Sequence, residues 1–142
     1  MPYEILIENN VVQIALIGRV TGRDLQRLMS EAVHYESAPV VPHRVTDMSE
    51  ITHLDVGFPD IMTIAEQRRT LKFPNSFKSA IIASRDLHMG YARMFQTLND
   101  NPQIAIKIFA ERKAADEWVS SQEDFVFLPQ QRPGAYILNR KS

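Results

Sequence analysis

The chain reads as one α/β domain built on a mixed β-sheet, in the order ββαβαβαβα plus an apolar C-terminal tail. Three observations predict it. Two β-rich runs flank Asn9-Asn10, a dipeptide that tolerates positive φ and so suits a tight hairpin. Helix-period and strand-period segments then alternate, which implies parallel strands joined by helical crossovers. Finally, Ser79-Ala-Ile-Ile-Ala-Ser84 is a short, continuously apolar run, as expected of a strand covered on both faces.

Tyr3–Glu8 and Val11–Ile17 are the hairpin strands. Gly18–Gly22 reads as a strand-to-helix turn, within which Thr21 is an N-cap followed three places on by Asp24. Leu25, Leu28, Met29, Ala32 and Val33 recur at helical spacing and make an amphipathic face. Pro39 and Pro42 interrupt the chain before His43–Thr46, a short strand leading into an acidic loop. A second helix runs from about Phe58 to Leu71, with Pro59 in its first turn and Phe58, Ile61, Met62 and Ala65 facing inward. Ser84 or Asp86 caps a third helix carrying Tyr91, Met94, Phe95 and Leu98. Gln103–Phe109 alternates as a strand, and a last helix, Glu111–Ser120, presents Ala114, Ala115, Trp118 and Val119.

Residues 1–121 thus form the domain and 122–142 a tail. The tail's two apolar runs, Phe125–Leu128 and Ala135–Leu138, would make an aggregation-prone patch if exposed. They are expected to pack on the domain or on a second subunit, which makes a homodimer the expected assembly.

The apolar fraction of 44% and charged fraction of 23% are those of an ordinary globular domain. A net charge of −1 carries no basic footprint for nucleic acid. With no Cys there is no disulfide framework, thiolate nucleophile or cysteine metal site. No apolar run is long enough to span a bilayer. The opening Met-Pro-Tyr-Glu-Ile lacks the features of a signal peptide, so a cytoplasmic location is expected. The five glycines form neither a dinucleotide fingerprint nor a P-loop, and no G-x-S-x-G elbow follows a strand.

The most informative stretch is Arg44–Phe58. In an α/β sheet, the loop after a strand's carboxyl end is where ligands and partners dock. Asp47-Met48-Ser49, then Ile51, Leu54 and Asp55, then a helix start, resembles the STAS domain and its SpoIIAA-like relatives. These carry Asp-hydrophobic-Ser followed by Asp-Ser-Ser-Gly. The closing stretch Phe109–Trp118 is similar to the last strand and helix of SpoIIAA-like chains, and the resemblance covers about residues 3 to 120. It implies a SpoIIAA-like (STAS-like) fold and a non-enzymatic interaction or regulatory module. One feature of the family is missing. Asp55-Val56-Gly57-Phe58 has no hydroxyl where the anti-sigma-factor antagonists carry the serine that takes a phosphate.

The candidate partner surface is Asp47, Ser49, Glu50, His53, Asp55, Gly57 and Phe58. His53 beside Asp55 and Glu50 has the composition of a general base or part of a metal site. The same residues also serve as a solvated loop in which Asp47 and Asp55 accept backbone N–H bonds and Asp55 caps the second helix. No nucleophile or oxyanion site accompanies them, so neither catalytic residues nor a metal or other cofactor is assigned. Arg68, Arg69, Lys72 and Lys78 are explained as solvated cations, the first two at a helix C-terminus. An alternative function is the carriage or sensing of a small apolar ligand, as the architectural likeness of SpoIIAA-like chains to the CRAL-TRIO lipid-binding fold implies. Met62, Tyr91, Met94 and Phe95 would line its pocket.

Overall fold

The computed structural model describes residues 1–121, and beyond them only the backbone pairing of Phe125–Val126 with Ile137–Leu138. The expected packing of the 122–142 tail lies outside the described residues. The domain comprises β1 (Tyr3–Glu8), β2 (Val11–Thr21), α1 (Gly22–Glu36), β3 (His43–Asp55), α2 (Phe58–Arg69), β4 (Phe77–Ile82), α3 (Asp86–Leu98), β5 (Ile104–Phe109) and α4 (Arg112–Ser120). The sheet order is β1-β2-β3-β4-β5, with β1 antiparallel to β2 and the remaining neighbours parallel. This is the mixed sheet and element order that the sequence predicts.

Asn9 and Asn10 both take positive φ (53° and 62°), so the β1–β2 turn closes in two residues, with Glu8 opposite Val11. Thr21 and Asp24 form the expected capping box, each side chain bonding the other's backbone N–H. Each parallel strand lies beside its predecessor, so crossovers of one hand place α1, α2 and α3 on the same face. There Ile14, Leu16, Met48, Ile51 and Ile81 pack with Leu28 and Ala92. On the other face, Val45, Ala80, Ile82 and Ala105 receive Ala115, Trp118 and Val119 of α4. β4 is buried along its whole length and contributes to both layers, which accounts for its unbroken apolar run.

Several boundaries differ from expectation. β2 continues through Gly18 to Thr21, and Gly18 takes φ +68° beside a register shift, a bulge only a glycine forms readily. β3 extends to Asp55 because β2 keeps pairing with it, Thr21 opposite Asp55, after β4 has stopped at Asp47. Most of the expected acidic loop is therefore strand.

The buried stripe of α2 is Ile61, Ile64, Ala65 and Arg68, while Phe58 is 50% and Met62 43% exposed. At 100° per residue the helix is rotated by roughly 60° from the orientation expected. The buried ion pair of Arg68 with Glu36 holds that rotation. Val33 and Ala114 likewise point outward. α3 begins after Arg85, with Asp86 as its first helical residue rather than its cap.

Candidate functional site

The extension of β2 and β3 beyond β4 makes a two-stranded ridge at the carboxyl end of the parallel strands. Its two bulges replace the ordinary every-second alternation, so Met48, Ile51 and Leu54 turn inward every third residue. The residues between them, Ser49, Glu50, Thr52, His53 and Asp55, are exposed, as are Gly57 and Phe58. Arg85 donates to the Ile51 carbonyl at 3.3 Å, and the Tyr91 hydroxyl donates to that of Val56, so α3 fastens the side of the ridge that β4 leaves unpaired.

The proposed surface residues are therefore gathered on one ridge, and the structure gives Asp47, His53 and Asp55 definite neighbours. Asp47 accepts the Ser49 N–H at 2.8 Å and an Arg112 N–H at 3.1 Å, which ties β3 to the start of α4. Asp55 pairs with Arg19 at 2.8 Å instead of capping α2. Gly57 is the N-cap of α2, and Asp60, in the first turn, accepts its N–H at 2.9 Å. The His53 ring lies 3.2 Å from the Thr52 hydroxyl and makes no bond to Asp55 or Glu50, the arrangement a carboxylate-oriented base requires. Among the described residues, no three His, Asp or Glu side chains converge as a metal site needs. Along the outer side of α2, Phe58 and Met62 stand one turn apart beside the ridge, a placement the expected inward face had missed.

A second feature lies beneath, between the sheet and α1–α3. It is a cavity of about 100 Å³ whose apolar wall includes Leu28, Met29, Phe95 and Ile106. Tyr91 and Phe95 are among the residues that line it. Met62 is on the surface and Met94, half-buried, does not reach it. Its polar end was not anticipated: Arg44, Arg68, Ser79 and Asn99 also line it. Arg44 from β3 and Arg68 from α2 both bond the Glu36 carboxylate, with side-chain exposures of 8%, 4% and 5% respectively. The sequence signal was that Glu36 follows Leu28 and Ala32, and Arg68 follows Ile61 and Ile64, on the buried stripe of each helix. Two charges placed where the next apolar residue belongs imply a partner inside.

The basic group read as solvated cations is split up. Arg69 pairs with Glu66, and Lys72 is exposed. Lys78 is buried and donates to the carbonyls of Trp118 and Ser121 at 2.8 and 3.2 Å, a cation at the C-terminus of α4. On this face a broad open concavity of about 1120 Å³ runs between β1–β2 and α4, rimmed by charges of both signs, including Glu4, Glu8, Arg112 and Asp116. No helix among the described residues is long and apolar enough to cross a membrane.

A five-stranded mixed sheet with three crossover helices on one face and a closing helix on the other is an α/β domain with a SpoIIAA-like fold. The chain superposes on an uncharacterized protein from the DUF3478 family with a SpoIIAA-like fold, from Shewanella loihica PV-4, with a TM-score of 0.53. The match covers 82% of this chain and 93% of that one at 16% identity, so the likeness is one of fold. No family model and no curated protein sequence matches the chain.

Proposed function

We propose that this protein is a non-enzymatic interaction or regulatory module that engages a protein partner through the β2–β3 ridge and the outer side of α2, and that it also self-associates. The observation that carries this reading is the joint exposure of Phe58 and Met62, at 50% and 43%, beside the exposed Glu50, His53 and Asp55. Apolar side chains one helical turn apart form a contiguous patch, and an apolar centre with a polar rim is the anatomy of an interface. α2 opens at Val56-Gly57-Phe58 without a hydroxyl, so this module works without a phosphate switch at that helix start. Cytoplasmic residence is part of the same reading.

The test is a Phe58→Asp, Met62→Asp double variant, compared with the wild type for native mass and for cross-linked partners in its own host. Loss of the partner, with an unchanged unfolding midpoint, is the expected result. Retention of the same complexes removes the ridge from consideration.

A second reading, carriage or sensing of a small apolar ligand, is favoured by the cavity under α1–α3. Its test is native mass spectrometry of protein from the host, where a small mass lost on denaturation is expected.

A further inference from the structure

The cavity under α1–α3 has charged residues in its lining whose charge is not balanced. Arg68 meets Glu36 with both terminal nitrogens, Nη1 at 3.2 Å from Oε1 and Nη2 on Oε2, and so forms a complete bidentate pair. Arg44 adds a second guanidinium to the same carboxylate through Nη2. One positive charge is therefore left over, with no further carboxylate paired to it among the described residues. Burial, and next the charge of Arg68, pull Arg44 down to about 10. That is still far above neutral pH, so the excess charge persists there.

Asn99, which ends α3, is 2% exposed, and neither its Nδ2 nor its Oδ1 has a partner among the described residues. Buried amides are ordinarily hydrogen-bonded, and buried net charge is ordinarily paired. Arg44 and Asn99 line the same cavity, together with Ser79, the strand neighbour of Arg44, and with Leu28, Phe95 and Ile106. A water molecule could satisfy the Asn99 amide, but it brings no negative charge.

We propose that this cavity binds a small carboxylate with a compact apolar tail, the carboxylate meeting Arg44 and Asn99 and the tail lying against Leu28, Phe95 and Ile106. The assignment rests on the carrier reading and adds the head group to it. The donors suit it. A guanidinium has five N–H groups, of which Glu36 takes one, on Nη2 of Arg44, whose flat face lies over the Phe77 ring at 5.5 Å, and the Asn99 amide adds two more. Size restricts the tail. By proportion to a 150 Å³ cavity that holds benzene, about 100 Å³ encloses roughly four non-hydrogen atoms. The three-carbon tail of isobutyrate is within that limit and long-chain lipids exceed it.

The full chain is titrated with isobutyrate, with its uncharged isostere isobutyramide, and with isobutanol, following the NMR signals of Phe95 and Ile106. Isobutyrate is expected to bind on the order of tenfold more tightly than either neutral probe, as a charge-assisted contact implies. Arg44→Met leaves Glu36 and Arg68 as a neutral pair, and should keep the fold while abolishing the preference for carboxylate. If that variant does not fold, Asn99→Ala carries the same comparison, with isobutyrate weakened relative to isobutanol. Equal binding of all three probes, or a preference that survives the substitutions, overturns the head-group assignment and leaves the carrier reading standing. No response to any probe overturns both.

Discussion

His43 stands at the start of β3, half-buried, and its Nδ1 accepts the backbone N–H of Lys78 at 2.9 Å. That bond requires the neutral ring. Burial first, and the Lys78 charge second, hold His43 below its ordinary value of 6.5. His88 is shifted the same way, by burial and then by Arg85. The unfolded chain therefore takes up these protons at a higher pH than the folded chain does. Stability is full above the unfolded value and declines as pH falls below about 6.5. The urea midpoint is expected to fall between about pH 7 and pH 5, and His43→Asn, which retains an acceptor near Nδ1, to flatten part of that fall. An unchanged slope in the variant would assign the loss to other groups. The Glu36 cluster has a different balance. Removing one member of a buried ion pair ordinarily costs about 3–5 kcal/mol, but Arg44 is a surplus partner, so its loss leaves no unpaired charge.

The helices meet through their first turns. A Cβ on Gly22, the first residue of α1, would lie 2.3 Å from the Asp60 carboxyl carbon, and Asp60 is the residue that accepts the Gly57 N–H at the start of α2. Gly22→Ala must push that carboxylate aside, and overpacking of this kind costs about 1–3 kcal/mol. Gly90 lies exposed within α3, with nothing within 4 Å of a Cβ placed there. Gly90→Ala is therefore expected to stabilise by about 0.5–1 kcal/mol, the ordinary gain of alanine over glycine in a helix. Denaturant unfolding of the two variants should give shifts of opposite sign. Equal shifts would mean that the approach of α1 to Asp60 is looser than these distances.

β4 joins the two layers of the molecule, since Ile81 packs under α1–α3 while Ala80 and Ile82 pack under α4. Small residues, Ala80, Ala105 and Ala115, let α4 lie close enough for Trp118 to cover them. Neither layer keeps a complete core without β4, so the domain should unfold as one unit. Trp118 is the single tryptophan and reports on the α4 layer. Its fluorescence transition in urea is expected to coincide with the loss of helical circular dichroism. An earlier fluorescence transition would show α4 detaching by itself.

The order of elements, the Asn9-Asn10 turn, the Thr21–Asp24 cap and the doubly covered β4 were legible in the sequence, because each depends on turn chemistry or periodicity within a few residues. The candidate ridge was legible as a location but not as a structure. Its residues are polar and lack strand alternation, and only pairing with β2, whose bulged register runs on to Asp55, makes them a strand. The face of α2 was likewise undecided locally, since Phe58, Ile61, Met62, Ile64 and Ala65 offer two overlapping apolar stripes. The choice between them came from Glu36, which lies 32 residues before Arg68 and draws it inside. The same long-range contact made the polar end of the cavity. Burial of a charge depends on a partner brought from elsewhere in the chain, and that meeting exists only in the folded molecule.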